Sequence, residues 1–293
     1  MRLVTFEAGG RRSVGAVREG RIVDLGDLFP SMLDLIAAGE EGLAAARRRV
    51  ESAAGGHELA GVRLLAPIPE PRRNVFCVGW NYRAHFLEGK GKRMMDKEEL
   101  PEFPAFFDKA TTAVIGPDDP IPFDSRLSTQ LDYEAELAVV IGRGGRSIRE
   151  AAARVHIFGY TVANDVSWRD LQRRHGGQWL KGKSIDGSCP LGPWIVTADE
   201  IPDPQDLDIR LRVNGVLKQD SNTGYMIFPV DRLIAELSLG MTLLPGDILL
   251  TGTPEGVGFA RTPAEFLRPG DEVEVEVEGV GTLRNRVVEA PLV

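Results

Sequence analysis

Cysteine is nearly absent: Cys77 and Cys189 are the only two in 293 residues. So few thiols, so far apart, exclude a disulfide framework and a cysteine-based zinc site. Both stand beside apolar residues and read as buried thiols. Histidine is also scarce, with four in the chain, which narrows the choice of an imidazole base. No apolar run approaches the roughly 18 residues of a membrane span. The opening MRLVTFEAGG lacks the basic-then-apolar plan of a secretory signal, so a cytoplasmic protein is expected. There is no basic stripe, and the formal net charge is -8, which argues against nucleic acid as a partner. RRRV at 47–50 closes an amphipathic helical stretch and reads as a solvated helix end. TGTPEGVG lacks the Gly-Lys-Ser/Thr ending of a phosphate loop, IGRGGRS fails the dinucleotide fingerprint, and no Gly-x-Ser-x-Gly elbow occurs. What remains is a composition 43% hydrophobic and 27% charged, that of a globular protein, long enough for one large domain with a small one attached.

RLVTFE, SVGAVR and RIVDL read as short strands, followed by SMLDLIAAG and EGLAAARRRV with helical spacing. Prolines 67, 69 and 71 in LLAPIPEPRR favour an extended connector, and a boundary is placed near residue 70. Beyond it the chain is strand-rich. Asn214-Gly215 in RLRVNGVLKQ is a hairpin signal, and LLPGDILLTG and LRPGDEVEVEVEG each open a strand after a Pro-Gly-Asp turn. Helices are expected near Asn81, at SIREAAARV with Ser147 and Glu150 as a capping box, at Asn164 or Asp165, and at PVDRLIAELS. The charged stretch 88–103 is either a surface loop or a lid over a site.

LDYEAELAVVIG, residues 131–142, reads as one strand. Alternation puts Asp132, Glu134 and Glu136 on one face, followed by Ala138 and Val140. From Leu137 onward both faces are apolar, as in a strand covered on both sides. The carboxylates therefore stand where a solvent-facing row becomes a buried one, and something must hold their charge. DEVEVEVEGV, residues 271–280, is an internal control. There Glu272, Glu274, Glu276 and Glu278 alternate unbroken with Val273, Val275 and Val277, the pattern of a sheet with one wet face. Glu-x-Glu spacing alone thus does not identify a metal site.

In FGYTVANDVSWRDLQRRHGG, a helix starting at Asn164 or Asp165 would put Asp165, Arg169 and Gln172 on one face. The bland alternative makes Asp165 an N-terminal cap and Arg169 its surface partner. In CVGWNYRAHFLE, His85 and Glu88 lie at i and i+3. A carboxylate there would fix the imidazole tautomer and raise its basicity, as in a general base, although an idle surface pair has the same spacing. His57, His156 and His175 have no such neighbour pattern.

VGWNYRAHFLE, LDYEAELAVVIG, GYTVANDVSWRDLQ, KGKSIDGSCPLGPWIV and LLTGTPEGVG together resemble, in order and approximate spacing, the fumarylacetoacetate hydrolase family over residues 73–288. The first 70 residues match loosely, as the family's variable small domain does. The resemblance implies an α+β, mostly β fold: a mixed β-sandwich roll catalytic domain over 71–293 with a small N-terminal α/β domain over 1–70. It implies a divalent ion held by Glu134, Glu136 and Asp165, with Asp132 behind them. All-oxygen ligation fits Mg²⁺ or Mn²⁺, with Ca²⁺ less favoured, rather than zinc. By the same resemblance His85 takes a proton from water, Glu88 orients it, and Lys183, not its neighbour Lys181, supports developing negative charge. Arg169 and Gln172 would reach substrate oxygens, and Thr253 the substrate carboxylate.

The implied activity is metal-dependent hydrolysis of the bond between carbons 3 and 4 of an acylpyruvate-like 2,4-dioxo acid through a metal-bound enolate. The alternative on the same scaffold is an isomerase, tautomerase or decarboxylase of an unsaturated or β-keto diacid such as oxaloacetate. GQWLKGKSIDGSCPLGPWIV is also similar to members acting on diketo sugar acids. A small 2-oxo acid is the expected partner, with no nucleic acid or membrane, and a homodimer is expected. A binding module that had lost catalysis would lack a ligand or the His-Glu pair, and neither is missing.

Overall fold

The computed structural model describes residues 1–91 and 99–290. Residues 92–98, the middle of the stretch read as a loop or lid, lie outside the described residues. The architecture is mostly β, built on two large sheets. The larger has twelve strands, and its central run is Arg2–Ala8, Cys189–Thr197, Ile157–Asn164, Ala135–Ile141, Ile248–Leu250, Val75–Gly79 and Ala105–Lys109. The second, of five strands, runs Val216–Asn222, Asp208–Val213, Glu272–Val277, Gly281–Glu289 and Ile121–Phe123. Most neighbours are antiparallel, but Ile248–Leu250 runs parallel to Val75–Gly79.

The central strand Ala135–Ile141 is fully buried because each face has its own cover. Leu137, Val139 and Ile141 join a core with Ile209, Leu211, Val273, Val275 and Val277 of the second sheet. Ala138 and Val140 join another with Leu3, Met32, Leu35 and Ile36 from the N-terminal region. That region also enters the large sheet directly, through the pairs Arg2↔Val196 and Leu3↔Ile195. Cys77 and Cys189 are buried free thiols in the same apolar cluster.

Register explains how distant residues meet. Ala135 pairs with Asn164 and Glu136 with Ala163, so the start of one strand abuts the end of the other. The end of Ile248–Leu250 leads to the same place, where Thr251 N donates to Leu137 O.

Several local expectations differ. The 131–142 stretch is two strands, Leu131–Asp132 and Ala135–Ile141, broken at Tyr133 and Glu134, and its acidic row is buried rather than solvent-facing. No helix starts at Asn164 or Asp165. Asn164 ends a strand, Ser167–Trp168 pairs with Leu131–Asp132, and the helix begins at Arg169. Asp165, Arg169 and Gln172 therefore do not share a helix face. The Ser147/Glu150 capping box is also absent. Glu150–His156 is a 3₁₀ segment with Arg149 at its N-cap, while Ser147 has φ 52° and its hydroxyl accepts from Gly240 N. A hydrogen bond to a residue distant in sequence has displaced the local one. By contrast, Asn214 and Gly215, at φ 52° and 76°, turn a tight hairpin with Val213 opposite Val216.

The glutamate-valine ribbon keeps its one-sided pattern, with Val273, Val275 and Val277 each 1% exposed. Val275→Ala should therefore lower unfolding stability by about 2 kcal/mol in urea titration. Glu272→Ala, on the wet face, should change it by no more than about 0.5 kcal/mol. Equal losses at both positions would contradict the assigned burial.

Candidate active site

The strand ends described above collect a dense set of buried charges. Glu134, Glu136 and Asp165 each offer one carboxylate oxygen, and these oxygens lie within 4.8 Å of one another. Three cations are buried beside them. Lys183 Nζ donates to Glu134 Oε2 and Asp165 Oδ2, both at 2.7 Å. Lys109 Nζ donates to Asp165 Oδ1 at 2.7 Å and to Val166 O at 3.0 Å. Arg169 donates through Nε to Asp132 Oδ2 at 2.8 Å and places Nη2 2.7 Å from Glu134 Oε1. Lys181, two residues before Lys183, is exposed.

These contacts show why Asp165 is not a helix cap: both its oxygens are taken by lysines from other parts of the chain. Asp132 also works on the backbone, accepting from Gly258 N and Phe259 N, so it fixes the 256–259 segment as well as Arg169. Breaking a buried pair of this kind by deleting one partner costs about 3–5 kcal/mol.

Glu136 is the exception. Among the described residues it makes no ion pair; Gly252 N donates to its Oε2 at 2.6 Å. Burial pushes its carboxyl well above the ordinary range, and the charges of Asp165 and Glu134 push it further. Burial also acts to raise Glu134, but Lys183 and Arg169 outweigh it and hold that carboxyl far below its ordinary value. Lys183 is raised despite burial, because Asp165 and Glu134 favour its charged form. A divalent cation fits this donor set. Three converging carboxylates are hard oxygen ligands, and the one without a side-chain cation is disfavoured in its charged form by burial and by its acidic neighbours, a penalty that a cation would relieve. Glu134, Glu136 and Asp165 would hold such an ion.

His85 lines the same pocket, on the short helix Arg83–Glu88. Its Nδ1 is 2.8 Å from Glu88 Oε1, and Glu88 Oε2 accepts from Gly256 N at 2.8 Å. The carboxylate is thus fixed at both ends, and with Glu88 accepting, Nε2 is left as the lone-pair nitrogen. Thr253 is buried, and its hydroxyl accepts from Gln219 Nε2 at 2.8 Å. Gln172 accepts from Arg169 Nη1 at 3.3 Å. Between these groups lies a pocket of about 100 Å³, lined also by Trp80, Phe107, Trp179 and Phe259. Trp179 packs edge-on against Trp80 and Phe107, with centroids 4.9 and 5.0 Å away. Gly79 makes room for it, since a Cβ there would lie 2.3 Å from the indole ring.

Sequence reasoning missed three supporting residues. Lys109 sits unremarked at the end of a strand, and only its complete burial betrays it. Gln219 joins Thr253 and Pro254 to Ala135 N. Asn81, 0% exposed, bonds Phe228 N and O and Thr251 O, and so pins the turn that leads to His85.

Comparison with known proteins agrees with this fold. The family model described as Fumarylacetoacetate (FAA) hydrolase C-terminal matches residues 74–288. The oxaloacetate tautomerase YisK of Bacillus subtilis is 40% identical, over 98% of this chain and 100% of its own length. Among solved structures, the fumarylacetoacetate hydrolase of Exiguobacterium antarcticum superposes with a TM-score of 0.86 at 41% identity, covering 99% of this chain and 100% of its own. Maleylpyruvate hydrolase from Sphingobium, determined with manganese(II) and pyruvate, gives 0.81 at 31% identity with the same coverage.

The carboxylate cluster yields a direct test by thermal unfolding. Mn²⁺ at 100 times its dissociation constant should stabilise the protein by about 2.7 kcal/mol, and chelator should reverse the gain. Glu136→Gln should leave the metal-free protein at least as stable while weakening Mn²⁺ more than about tenfold. Undiminished Mn²⁺ stabilisation of that variant would remove Glu136 from the ligand set.

Proposed function

The chain belongs to the fumarylacetoacetate hydrolase family, and we propose that within it the protein is a divalent-metal-dependent tautomerase of a small 2-oxo diacid, oxaloacetate being the substrate that fits best. The observation carrying this reading is the likeness to oxaloacetate tautomerases along almost the whole chain, at 40% identity to the Bacillus subtilis enzyme and 43% to one from Xenopus laevis. The pocket supports it. About 100 Å³ is small beside the roughly 300–1,000 Å³ of drug-sized sites, and suits a short acid. The activity first implied by the resemblance was hydrolysis; the tautomerase alternative stated beside it accords better with these relatives.

A divalent ion on Glu134, Glu136 and Asp165 would supply Lewis acidity toward the keto and carboxylate oxygens of a 2-oxo acid, making the protons on carbon 3 removable. His85 Nε2 then takes a proton from carbon 3 of the keto form, and the electron pair moves into the bond between carbons 2 and 3 and onto the oxygen of carbon 2. The proton held by the imidazolium passes through solvent to that oxygen, which completes the enol and restores the base, and the reverse sequence returns the keto form. Glu88 stabilises the imidazolium that forms. Lys183 has three N–H donors, of which Glu134 and Asp165 accept two. The third supports negative charge on the substrate oxygen. Arg169, committed to Asp132 and Glu134, acts mainly by holding Glu134 in place. Thr253, set by Gln219, and Gln172 would contact substrate oxygens.

A second reading, hydrolysis of a 2,4-dioxo acid, is favoured by one observation, the likeness to a maleylpyruvate hydrolase whose structure contains manganese(II) and pyruvate. The same dyad would then activate water. The two separate in assay. With Mn²⁺ the protein should speed the ultraviolet change that accompanies enol-to-keto conversion of oxaloacetate, without releasing CO₂. His85→Ala should lower kcat/KM by about 10²–10⁴ while keeping the Mn²⁺-induced rise in melting temperature. Normal tautomerisation by that variant would refute His85 as the base. Turnover of 2,4-dioxo acids to pyruvate and a second acid, with oxaloacetate untouched, would favour the hydrolase.

A further inference from the structure

Helix Arg169–Arg174 carries two arginines on one face, one turn apart, and both lie over the same ring. The Arg169 guanidinium is 4.5 Å from the Phe259 centroid and that of Arg173 is 5.6 Å. Their circumstances differ sharply. Arg169 is 4% exposed, ion-paired with Asp132 and Glu134, and donates to Gln172. Arg173 lines the same pocket, yet among the described residues it has no carboxylate partner: the nearest acid on its helix, Asp170, is 3.7 Å from Arg174 and accepts from Ser128 Oγ.

A cation placed beside another cation over an aromatic face is unfavourable until an anion joins them. Arg173 is exposed at the pocket mouth, and partial desolvation together with the Arg169 charge lowers its pKa from the ordinary value. The planar guanidinium is suited to bidentate recognition of a carboxylate. Phe259, whose backbone N–H is fixed by Asp132 at 3.0 Å, holds it at the rim.

We propose that Arg173 is the specificity residue for the far carboxylate of the substrate: it grips the second acid group of a 2-oxo diacid at the pocket rim while the keto-acid end lies over Glu134, Glu136 and Asp165. The inference rests on the 2-oxo-acid reading above and deepens it, because it makes the site select diacids over monoacids.

Pyruvate is oxaloacetate without that carboxylate, so calorimetric binding of both acids to the Mn²⁺-loaded protein isolates the contact. The wild type should bind oxaloacetate about 10–100-fold more tightly than pyruvate. Arg173→Met should bring that ratio close to one while changing pyruvate affinity less than about twofold, and Arg173→Lys should retain part of the preference. In steady-state tautomerisation the Met variant should raise KM for oxaloacetate and leave kcat nearly unchanged. Arg173→Gln serves as a second variant should the Met protein not fold. An unchanged ratio, equal loss of both acids, or no preference in the wild type would overturn the proposal. A ratio that collapses in a protein unable to tautomerise oxaloacetate would leave Arg173 as the diacid grip and refute the tautomerase reading alone.

Discussion

Burial of negative charge at one end of a sheet is the constraint on which the rest of this structure depends. Asp132, Glu134, Glu136 and Asp165 are all between 0 and 5% exposed, and carboxylates so placed are tolerated only when paired or coordinated. Lys109, Lys183 and Arg169 are buried because they answer that charge. Each comes from a different segment, so the charge cluster also fastens the strand Ala105–Lys109, the Leu180–Lys183 turn and the Arg169–Arg174 helix to the central strands. The Glu136 carboxylate has no side-chain cation among the described residues, and with Glu134 and Asp165 it forms a triad that could hold a divalent ion.

The sandwich makes this arrangement possible. Because Ala135–Ile141 is covered by the second sheet on one face and by the N-terminal region on the other, its middle is sealed from water on both faces, and its start opens only on the pocket that Glu136 lines. The low-dielectric surroundings strengthen each ion pair and penalise each unpaired charge. The same cover leaves the sheet's end as the place where polar chemistry can emerge, and there the segments after Val75–Gly79, Ile157–Asn164 and Ile248–Leu250 deliver His85, Asp165 and Thr253.

What could be read from the sequence follows the range of the interactions involved. His85 and Glu88 are three residues apart, and their pairing was visible in the spacing. The two apolar faces after Leu137, the wet glutamate face of Glu272–Val277 and the Asn214-Gly215 turn are equally local. Asp165 was legible as a ligand only through the family likeness, because the pattern of an N-cap before an apolar helix is the same whether or not lysines 56 and 18 residues away claim its oxygens. Asn81 and Gln219 act across 147 and 84 residues, and no periodicity encodes such partners. Ser147 and Glu150 show the reverse error, in which a complete local motif was overridden by a bond to Gly240.

The site divides into a floor and a rim with different physical character. The floor is carboxylates and cations locked by bonds of 2.7–2.8 Å from buried side chains, and under the proposed reading it would serve any 2-oxo acid whose reaction passes through an enolate. That generality suits a family whose members here include both tautomerases and a maleylpyruvate hydrolase. The rim is built from short helices and an edge-packed aromatic trio of Trp80, Phe107 and Trp179, and it carries Arg173, which has no carboxylate partner among the described residues. Changes at the rim alter which molecule fits and how much water accompanies it, and they leave the buried charge balance intact. Substitution on the floor instead disturbs several ion pairs together, since Lys183 serves Glu134 and Asp165 while Arg169 serves Asp132 and the same Glu134. Divergence of substrate on this scaffold is therefore physically least costly at the rim, where a residue can change its partner without stranding a buried charge.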